Sequence, residues 1–522
     1  MMHTSVFSYV KSKFSLKTAI APTLVVTGIF FLNYFFFGAE NTVIGPCIAL
    51  SYLYFSKISN RMASIAKTFL IYIAVAFFAW LAGINLALCI LVNIGVFFWI
   101  AFVLIDEYHP DNYYTPGIAF LMFQVSPVTG SGILVRCAAL VLSFFLAFLV
   151  MWIMSFFFRK KLVREYVSDG LDLGESLLAA YRAGNTEQVC HLQQQLRRLS
   201  ETISDEIYQY NYAAFGNEHR VNWYCRFVAL FQVFINLTSD PRIEEKAPIM
   251  QHMLHNFREL LQRHEDFGER KALTFRPSQP NLQSFRLRFA LRMVIIMTPC
   301  MLFAYLCPYG NGYWLSVSVY FMLVPLYEQS GSRIRGRLLG TLAGSVICLV
   351  LYTVFPEQNQ HIVIMTIANL FINSSTSYTA TVAYLTCAVL ALNITPENLL
   401  FTLGERLVYT VCGSLLTVIA SRCIFPIRTR PEAEHLKQKL AEIQEELTVI
   451  QAAEQPHADE THRQNDQLLI RSYLLGRRLR EYHETLAEGD SELMELLEEH
   501  MQNVSCYFSY HFTGVKGAII AE

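Results

Sequence analysis

The stretch that decides the fold is Gly132–Phe158, which reads GILVRCAALVLSFFLAFLVMWIMSFFF and contains Arg136 as its one charged residue. A helix that crosses a bilayer needs about 20 mainly apolar residues, and this stretch exceeds that length. Similar apolar blocks recur along the chain, which is typical of a polytopic membrane protein. The sequence therefore predicts several membrane-spanning helices.

The composition of the 522-residue chain supports this interpretation. Hydrophobic residues make up 53% and charged residues 16%, whereas soluble domains carry about 25% charged residues. This excludes a disordered chain, and a net charge of −1 offers no electrostatic basis for binding nucleic acid. The 12 cysteines form no CxxC pair, so the sequence predicts no metal centre and no cofactor. Because it contains no GxxxxGK[ST] motif, ATP-driven transport is not expected.

The apolar blocks fall into two groups on either side of a polar stretch, and we place about twelve spans in them. The predicted spans are residues 16–37, 41–56, 63–83, 86–105, 114–126 and 132–158, then 286–307, 313–327, 335–355, 360–374, 378–394 and 400–425. The predicted fold class is all-α: a polytopic membrane protein of two parallel six-helix repeats with two cytoplasmic helical domains. The predicted regions are repeat 1 (1–160), a cytoplasmic helical domain (161–284), repeat 2 (285–427) and a cytoplasmic helical tail (428–522).

The positions of lysine and arginine predict the orientation. In the second half, Arg288 and Arg292 open the first span, and three further arginines follow the second span. All such clusters fall on one side of the membrane, which the positive-inside rule makes cytoplasmic. We therefore expect a multi-pass protein of the cell (inner) membrane with both termini in the cytoplasm.

Four pairs of segments suggest that one six-span unit is used twice. Asn93 corresponds to Asn369, and Arg136 corresponds to Arg406. The other pairs are Lys13–Lys17 with Arg288–Arg292 and Thr115–Leu121 with Thr379–Leu385. Because each half has an even number of spans, the repeats would be parallel, with a pathway between them.

The sharpest motif lies in the second half. Gly312–Val319 reads GYWLSVSV, and Ser330–Gly344 reads SGSRIRGRLLGTLAG. A Tyr-Trp pair that opens a helix, an arginine-rich inner loop and a Gly-Thr-x-x-Gly start to the next helix resemble the fusaric acid resistance family, which includes the aromatic acid exporters. The resemblance implies efflux of aromatic or related organic acids, driven by the proton-motive force. The first half departs from the motif, since Asn41-Thr42 stands where Tyr313-Trp314 would be.

Candidate site residues are polar or aromatic side chains inside the spans. Arg136 and Arg406 could bind a carboxylate through the guanidinium fork; the alternatives are snorkelling to lipid headgroups and, for Arg406, pairing with Glu405. Other pathway candidates, which could instead bond between helices or form an aromatic belt, are Asn93, Asn369, Asn373, Gln124, Phe120, Tyr384, Tyr313 and Trp314. A cytoplasmic guide for the anion, or a contact with acidic lipids, is expected at Arg288, Arg292, Arg333, Arg335 and Arg337. Close helix packing is expected at Gly336, Gly340 and Gly344.

The predicted function is export of small organic anions, foremost aromatic carboxylic acids, by a transporter that is not an enzyme. An anion channel of the same fold and a non-transporting scaffold that acts through its cytoplasmic helices remain as alternatives. No carboxylate or histidine lies in the middle of a predicted span, which argues against obligatory proton coupling. Expected partners are the organic anion, membrane lipid, further copies of the chain and, in a Gram-negative cell, a periplasmic adaptor protein.

Overall fold

The computed structural model is helical throughout its regular elements. It describes residues 16–55, 61–105, 108–157, 163–212, 224–237, 243–263, 285–307, 311–325, 327–355, 358–375, 377–393, 398–427, 429–452, 459–485 and 494–504. Over these residues there is no strand, so the predicted all-α class is confirmed. Lys13, which entered the repeat argument, lies outside the described residues, as do the basic residues Lys57 and Arg159–Lys161.

The chain divides into two compact units. Unit 1 comprises residues 1–57, 65–159 and 279–428, and unit 2 comprises residues 58–64, 160–278 and 429–522. The helices of unit 1 begin with α1 (Leu16–Phe36), α2 (Ile44–Phe55), α3 (Arg61–Ala82), α4 (Leu86–Trp99, continued as a π-helix over Ile100–Leu104), α5 (Tyr114–Val125) and α6 (Gly132–Phe157). Unit 2 follows with α7 (Val163–Arg182), α8 (Thr186–Tyr212), α9 (Cys225–Leu237) and α10 (Ile243–Arg263). Unit 1 resumes with α11 (Phe285–Leu306), α12 (Tyr313–Met322), α13 (Tyr327–Val354), α14 (Gln358–Ser374), α15 (Tyr378–Asn393) and α16 (Leu399–Cys423). Unit 2 ends with α17 (Thr429–Ala452), α18 (Asp459–Thr485) and α19 (494–504).

Seven of the described helices are long and apolar enough to cross a membrane. They are Ala19–Phe36, Ile65–Ala82, Leu86–Leu104, Gly132–Ile153, Phe285–Leu306, Ser330–Val354 and Leu399–Cys423. Each of the other five predicted spans is also a helix, but the shortest, α12, has 10 residues, about half of what a straight crossing needs. Multiple membrane spans are therefore supported, and the twelve-span repeat architecture stays a prediction.

One boundary differs from the predicted one. The segment before the predicted span 335–355 was expected to be a loop, whereas α13 starts at Tyr327 and carries Arg333, Arg335 and Arg337 on helical backbone. Arginine is a good helix former, and the helix ladder satisfies the backbone polar groups that a loop at this depth would expose. The positions of Arg333 and Arg337 are therefore fixed by a rigid element.

The two halves of unit 1 contact each other through corresponding helices. Helix α1 packs against α14, and α11 packs against α4. The first helix of each half therefore contacts the fourth helix of the other. A side-chain bond crosses one of these contacts, because Asn373 Nδ2 donates to Thr23 Oγ1 at 3.1 Å.

Unit 2 is built around α9, the most apolar of its described helices. Val228, Leu230, Phe231 and Phe234 on this helix are fully buried. Gly170 on α7 lies against the Phe231 ring, where a Cβ atom would overlap it. The apolar faces of the surrounding helices therefore close over one central helix, as expected for an amphipathic bundle.

Candidate anion site

Four arginines of unit 1 are almost completely buried: Arg136, Arg292, Arg337 and Arg406 are each 0–2% exposed. Among the described residues of this unit, no aspartate or glutamate is buried. A buried charge is costly unless hydrogen-bond partners or an opposite charge compensate it. The partners of each guanidinium group therefore decide whether it can accept an anion from outside.

Arg136, on α6, is fully engaged with its own half of the unit. Its Nε donates to Asn41 Oδ1 at 3.1 Å, and Nη1 donates to the carbonyl of Phe123 at 3.0 Å. Its Nη2 donates to the carbonyls of Glu40 at 2.9 Å and Ser126 at 2.6 Å. Four of the five N–H donors therefore have an acceptor and every nitrogen is engaged, so this guanidinium group fastens two interhelical connections, which is a structural role.

Arg292, on α11, is engaged in the same way. It donates to the carbonyls of Ile424 at 3.0 Å, Pro325 at 3.1 Å and Phe425 at 2.5 Å. Phe425 has a φ of 44°, a left-handed conformation that is strained for a bulky residue. Arg292 therefore holds the strained end of α16 in place, which is a structural role.

Arg337, on α13, differs from both. Its guanidinium carbon lies 4.9 Å from the centre of the Phe321 ring, and its Nε, Nη1 and Nη2 are buried with no acceptor among the described residues. The phenol of Tyr378 is the polar group beside it, but the two do not meet hydrogen-bond geometry. On the preceding turn Arg333 lies over the rings of Tyr114 and Tyr378, at 6.0 and 5.7 Å.

Arg406, on α16, is the second buried guanidinium group without acceptors. It lies 5.1 Å from the centre of the Trp314 ring, and its Nε and Nη1 have no partner in the described part of the chain. The adjacent Glu405 instead accepts a hydrogen bond from Asn311 Nδ2 at 2.8 Å. Helix α16, which carries Arg406, packs against α13, which carries Arg337.

Unpaired hydroxyl groups lie on the helices that carry these arginines. Ser316 and Ser318 on α12 and Thr341 and Ser345 on α13 are buried, and their oxygens have no partner within the described residues. Helices α12, α13 and α16 pack against one another. Ser316 and Ser318 are two residues apart, so they lie on opposite faces of α12, and Ser318 is the one that faces α16, next to Gly413. We call Arg337, Arg406, Ser318, Thr341 and Ser345 the polar track. Such a set can donate several hydrogen bonds to a desolvated anion.

The polar candidates of the first half are bonded to each other. Asn93 and Gln124 exchange two hydrogen bonds of 3.0 Å each between their side-chain amides. Asn373 donates to the carbonyl of Asn369 at 2.9 Å in addition to its bond to α1. These amides therefore join helices or cap their own backbone.

The aromatic candidates lie in ring contacts. Phe120 packs edge-on against Phe97 at 5.2 Å, and Tyr384 stacks on Phe371 at 5.2 Å. Tyr313 and Trp314 are in edge contact at 5.9 Å. Of this group, Trp314 is the ring that touches an unpaired arginine, so it belongs with the polar track.

The remaining candidates lie along α11 and α13. Arg288 is half-buried near the start of α11, and Arg335 is exposed, with Nε 3.4 Å from the carbonyl of Gly331. Gly336, Gly340 and Gly344 face α15: a Cβ at position 340 would lie 2.6 Å from the carbonyl oxygen of Thr379. The glycine face allows α13 and α15 to approach closely and leaves the adjacent face of α13 to the polar track.

Sequence reasoning missed the hydroxyls of the polar track and one buried imidazole. His361 on α14 is 4% exposed, and its Nε2 donates to the carbonyl of Phe355 at 3.1 Å. Its ring lies 5.1 Å from that of Tyr352, which shares a core cluster with Trp314. The sequence signal for the buried imidazole was a histidine close to the start of an apolar segment.

Comparison with known proteins identifies the half that carries the polar track. Residues 299–420 match the family model described as "Fusaric acid resistance protein-like". The predicted family resemblance is confirmed. The matched stretch contains Trp314, Arg337 and Arg406 and excludes Arg136. Together with the long apolar helices, the match supports a membrane-embedded, multi-pass protein.

One curated relative is similar over part of its length. An uncharacterised protein of Haemophilus influenzae is 25% identical over 142 residues, which make up 27% of this chain and 20% of that protein. The chain thus spans about a fifth of the relative that it matches. No solved structure matches this chain.

Proposed function

We propose that this protein exports small organic anions across the cell membrane, with aromatic carboxylates as the substrate class. The observation that carries the proposal is the state of Arg337 and Arg406, which are buried without an acceptor or a carboxylate partner among the described residues. A carboxylate supplies what both groups lack, since the guanidinium fork binds it with two parallel charge-assisted hydrogen bonds.

The rings beside these arginines support an aromatic substrate. Trp314 lies under Arg406 and Phe321 lies under Arg337. Aromatic faces bind both a guanidinium group and a second ring. A substrate with a carboxylate and a ring would therefore find both kinds of partner within a few ångströms.

The proposed energy source is the proton-motive force, which follows from the family resemblance. The alternative with a specific observation behind it is an anion channel, because unit 1 contains no buried carboxylate in its described part and proton-driven carriers usually hold one at membrane depth. Two measurements distinguish the carrier from the channel. Accumulation of an aromatic acid against its own gradient supports the carrier, and gated single-channel steps in planar bilayer recordings support the channel.

The proposed topology follows the positive-inside rule. The protein lies in the inner membrane, and the segments before α1 and after α16 lie in the cytoplasm. A reporter fused after Pro127 should then read outside, and one fused after Lys161 should read inside. A cytoplasmic signal after Pro127 would contradict the proposed topology. Further copies of the chain and an adaptor protein remain expectations.

The decisive experiment measures saturable uptake of labelled benzoate into liposomes that contain the purified protein. Arg337→Gln and Arg406→Gln should each raise the half-saturating benzoate concentration about tenfold or more, because each removes charge-assisted hydrogen bonds of about 1.5–3 kcal/mol. Arg335→Gln is the matched control, since Arg335 lies on the same helix but is exposed. Unchanged benzoate kinetics in both buried variants would reject the anion site.

A further inference from the structure

The two halves of unit 1 differ in how their buried polar side chains are satisfied. In the first half these groups bond to each other: Ser51 to Tyr72 at 2.8 Å, Asn33 to Ser143 at 3.0 Å, and Asn93 to Gln124 at 3.0 Å. Over the described residues of that half, the unpaired buried side-chain atoms are Thr27 Oγ1 and Asn33 Oδ1. The second half contains all five residues of the polar track, so its interior is open to hydrogen bonds from a ligand.

Two hydroxyls of the polar track make no hydrogen bond to their own helix. A serine or threonine inside a helix can donate to the carbonyl four residues earlier. On α16, Thr410, Ser414 and Thr417 do so at 2.7, 2.7 and 2.8 Å. Thr341 and Ser345 on α13 make no such bond, and their oxygens are buried without a partner among the described residues. These two hydroxyls are therefore available to a ligand.

The track runs lengthwise between the two arginines. Arg337, Thr341 and Ser345 recur every fourth residue, which places them on one face of α13. On α12, the rings under the two arginines, Trp314 and Phe321, are seven residues apart, a rise of about 10 Å. Ser318 lies between these rings in sequence and on the same face of α12, next to Gly413 of α16, so it occupies the interval between the two cations.

We propose that the transported anion crosses the membrane inside the second half, between α12, α13 and α16, and passes from Arg337 to Arg406 over the hydroxyls of the polar track. The inference rests on the proposed function and replaces the expectation of a pathway between the two halves. Neutral hydroxyls suit the interval because they donate to a carboxylate yet hold it more weakly than arginine does, and conduction requires binding that is weak enough for release. The proposed ligand class is a monocarboxylate, whose single negative charge passes from the Arg337 cation to the Arg406 cation.

The test compares two threonines that differ in their bonding. Thr341→Val and Thr410→Val both remove a hydroxyl and keep the side-chain shape. Thr341→Val should leave the unfolding temperature unchanged or raised, because it removes an unpaired buried hydroxyl, but should lower benzoate exchange about tenfold. Thr410→Val should lower the unfolding temperature, because it removes a formed bond to the Arg406 carbonyl, and should leave exchange per folded molecule unchanged.

The outcomes separate this inference from the proposed function. Wild-type exchange kinetics in Thr341→Val would overturn the route through the second half while the exporter stands. Failure of the wild-type protein to exchange benzoate saturably would overturn the proposed function and this inference with it. Ser345→Ala serves as the second variant if Thr341→Val does not fold, and it should slow exchange in the same way. Ser143→Ala in the first half should destabilise the protein and leave exchange per folded molecule unchanged; a lower rate would overturn the inference.

Discussion

Tyr113 and Tyr320 form a reciprocal link between the halves of unit 1. The hydroxyl of Tyr320 donates to the carbonyl of Tyr113 at 3.0 Å, and the hydroxyl of Tyr113 donates to the carbonyl of Leu323 at 3.0 Å. Both phenols are buried, and their rings lie 6.1 Å apart in edge contact. Each half thus supplies a donor and an acceptor, which holds the start of α5 against the end of α12.

Removal of one phenol hydroxyl should loosen this link. Tyr320→Phe should destabilise the protein by about 1–3 kcal/mol, since it leaves the buried carbonyl of Tyr113 without its donor. The measurement is the unfolding temperature in detergent. The control is Tyr384→Phe, because the Tyr384 ring also stacks in unit 1 but makes no hydroxyl bond with the described residues. Equal losses in the two variants would show that the link contributes nothing.

A methyl group at Gly117 should disrupt the same contact more strongly. A Cβ at this position would overlap the phenol oxygen of Tyr320, whereas a Cβ at Gly95 on α4 would meet no atom within 4 Å. Overpacking typically costs about 1–3 kcal/mol, while alanine in place of a helix-interior glycine stabilises by about 1 kcal/mol. Gly117→Ala should therefore lower, and Gly95→Ala should maintain or raise, the unfolding temperature. A stable Gly117→Ala protein would contradict this packing.

Arg136 and Arg406 should respond differently to the same substitution. Arg136→Gln leaves acceptors in two connections unsatisfied, so membrane abundance and unfolding temperature should fall while benzoate affinity per folded molecule is kept. Arg406→Gln removes an unpaired buried charge, so stability should hold or rise while benzoate affinity falls about tenfold. Arg406→Lys should recover only part of the affinity, because an ammonium group lacks the fork. Matching losses of affinity would restore Arg136 as a ligand-binding residue.

Unit 2 should lose stability in mild acid through His500. Burial lowers the pKa of His500 to about 4, from an ordinary value of about 6.5, and its Nε2 lies 3.0 Å from Ser472 Oγ. The unfolded chain then binds more protons than the folded one between these pH values. Stability is therefore full above about pH 6.5 and falls by about 3 kcal/mol toward pH 4.

The measurement for His500 is hydrogen exchange of the α18 and α19 amides between pH 7.5 and 4.5, corrected for intrinsic exchange rates. His500→Gln should flatten the dependence. His255→Gln should leave the dependence unchanged, since the side chain of His255 is 67% exposed. A wild-type slope in His500→Gln would rule out this histidine as the cause.

The sequence predicts the helices of unit 1 well, because apolar length and helix ends are local properties. Residues 114–126 were expected to form one span, and the helix is Tyr114–Val125. Charge was less informative, since the arginines before residue 337 suggested a loop and form a helical turn. Whether a 10-residue helix such as α12 crosses the bilayer depends on the helices that pack against it. The local sequence does not show which helices these are.

The candidate site residues remain predictions. Arg406 was proposed for carboxylate binding from its correspondence to Arg136, yet Nε and Nη1 of Arg406 are unpaired, whereas every nitrogen of Arg136 has an acceptor. Correspondence in sequence cannot distinguish them, because the acceptors of Arg136 are carbonyls in distant connections. The sequence also cannot show that the Thr341 hydroxyl lacks a bond to its own helix. A threonine that makes this bond and one that does not are the same residue in the sequence.

The unpaired state of Arg337 also constrains biogenesis. An arginine within a membrane-spanning helix is costly when the translocon releases that helix into lipid, unless the charge pairs or faces a protein interior. Arg337 is the eleventh residue of the 28-residue α13, and the helices that enclose its face, α12 and α16, lie on either side of it in the order of synthesis. The ribosome must therefore deliver three more helices before this charge is shielded from hydrocarbon. Helices α13 to α16 should leave the translocon together, and a nascent chain that stops after α13 should be degraded.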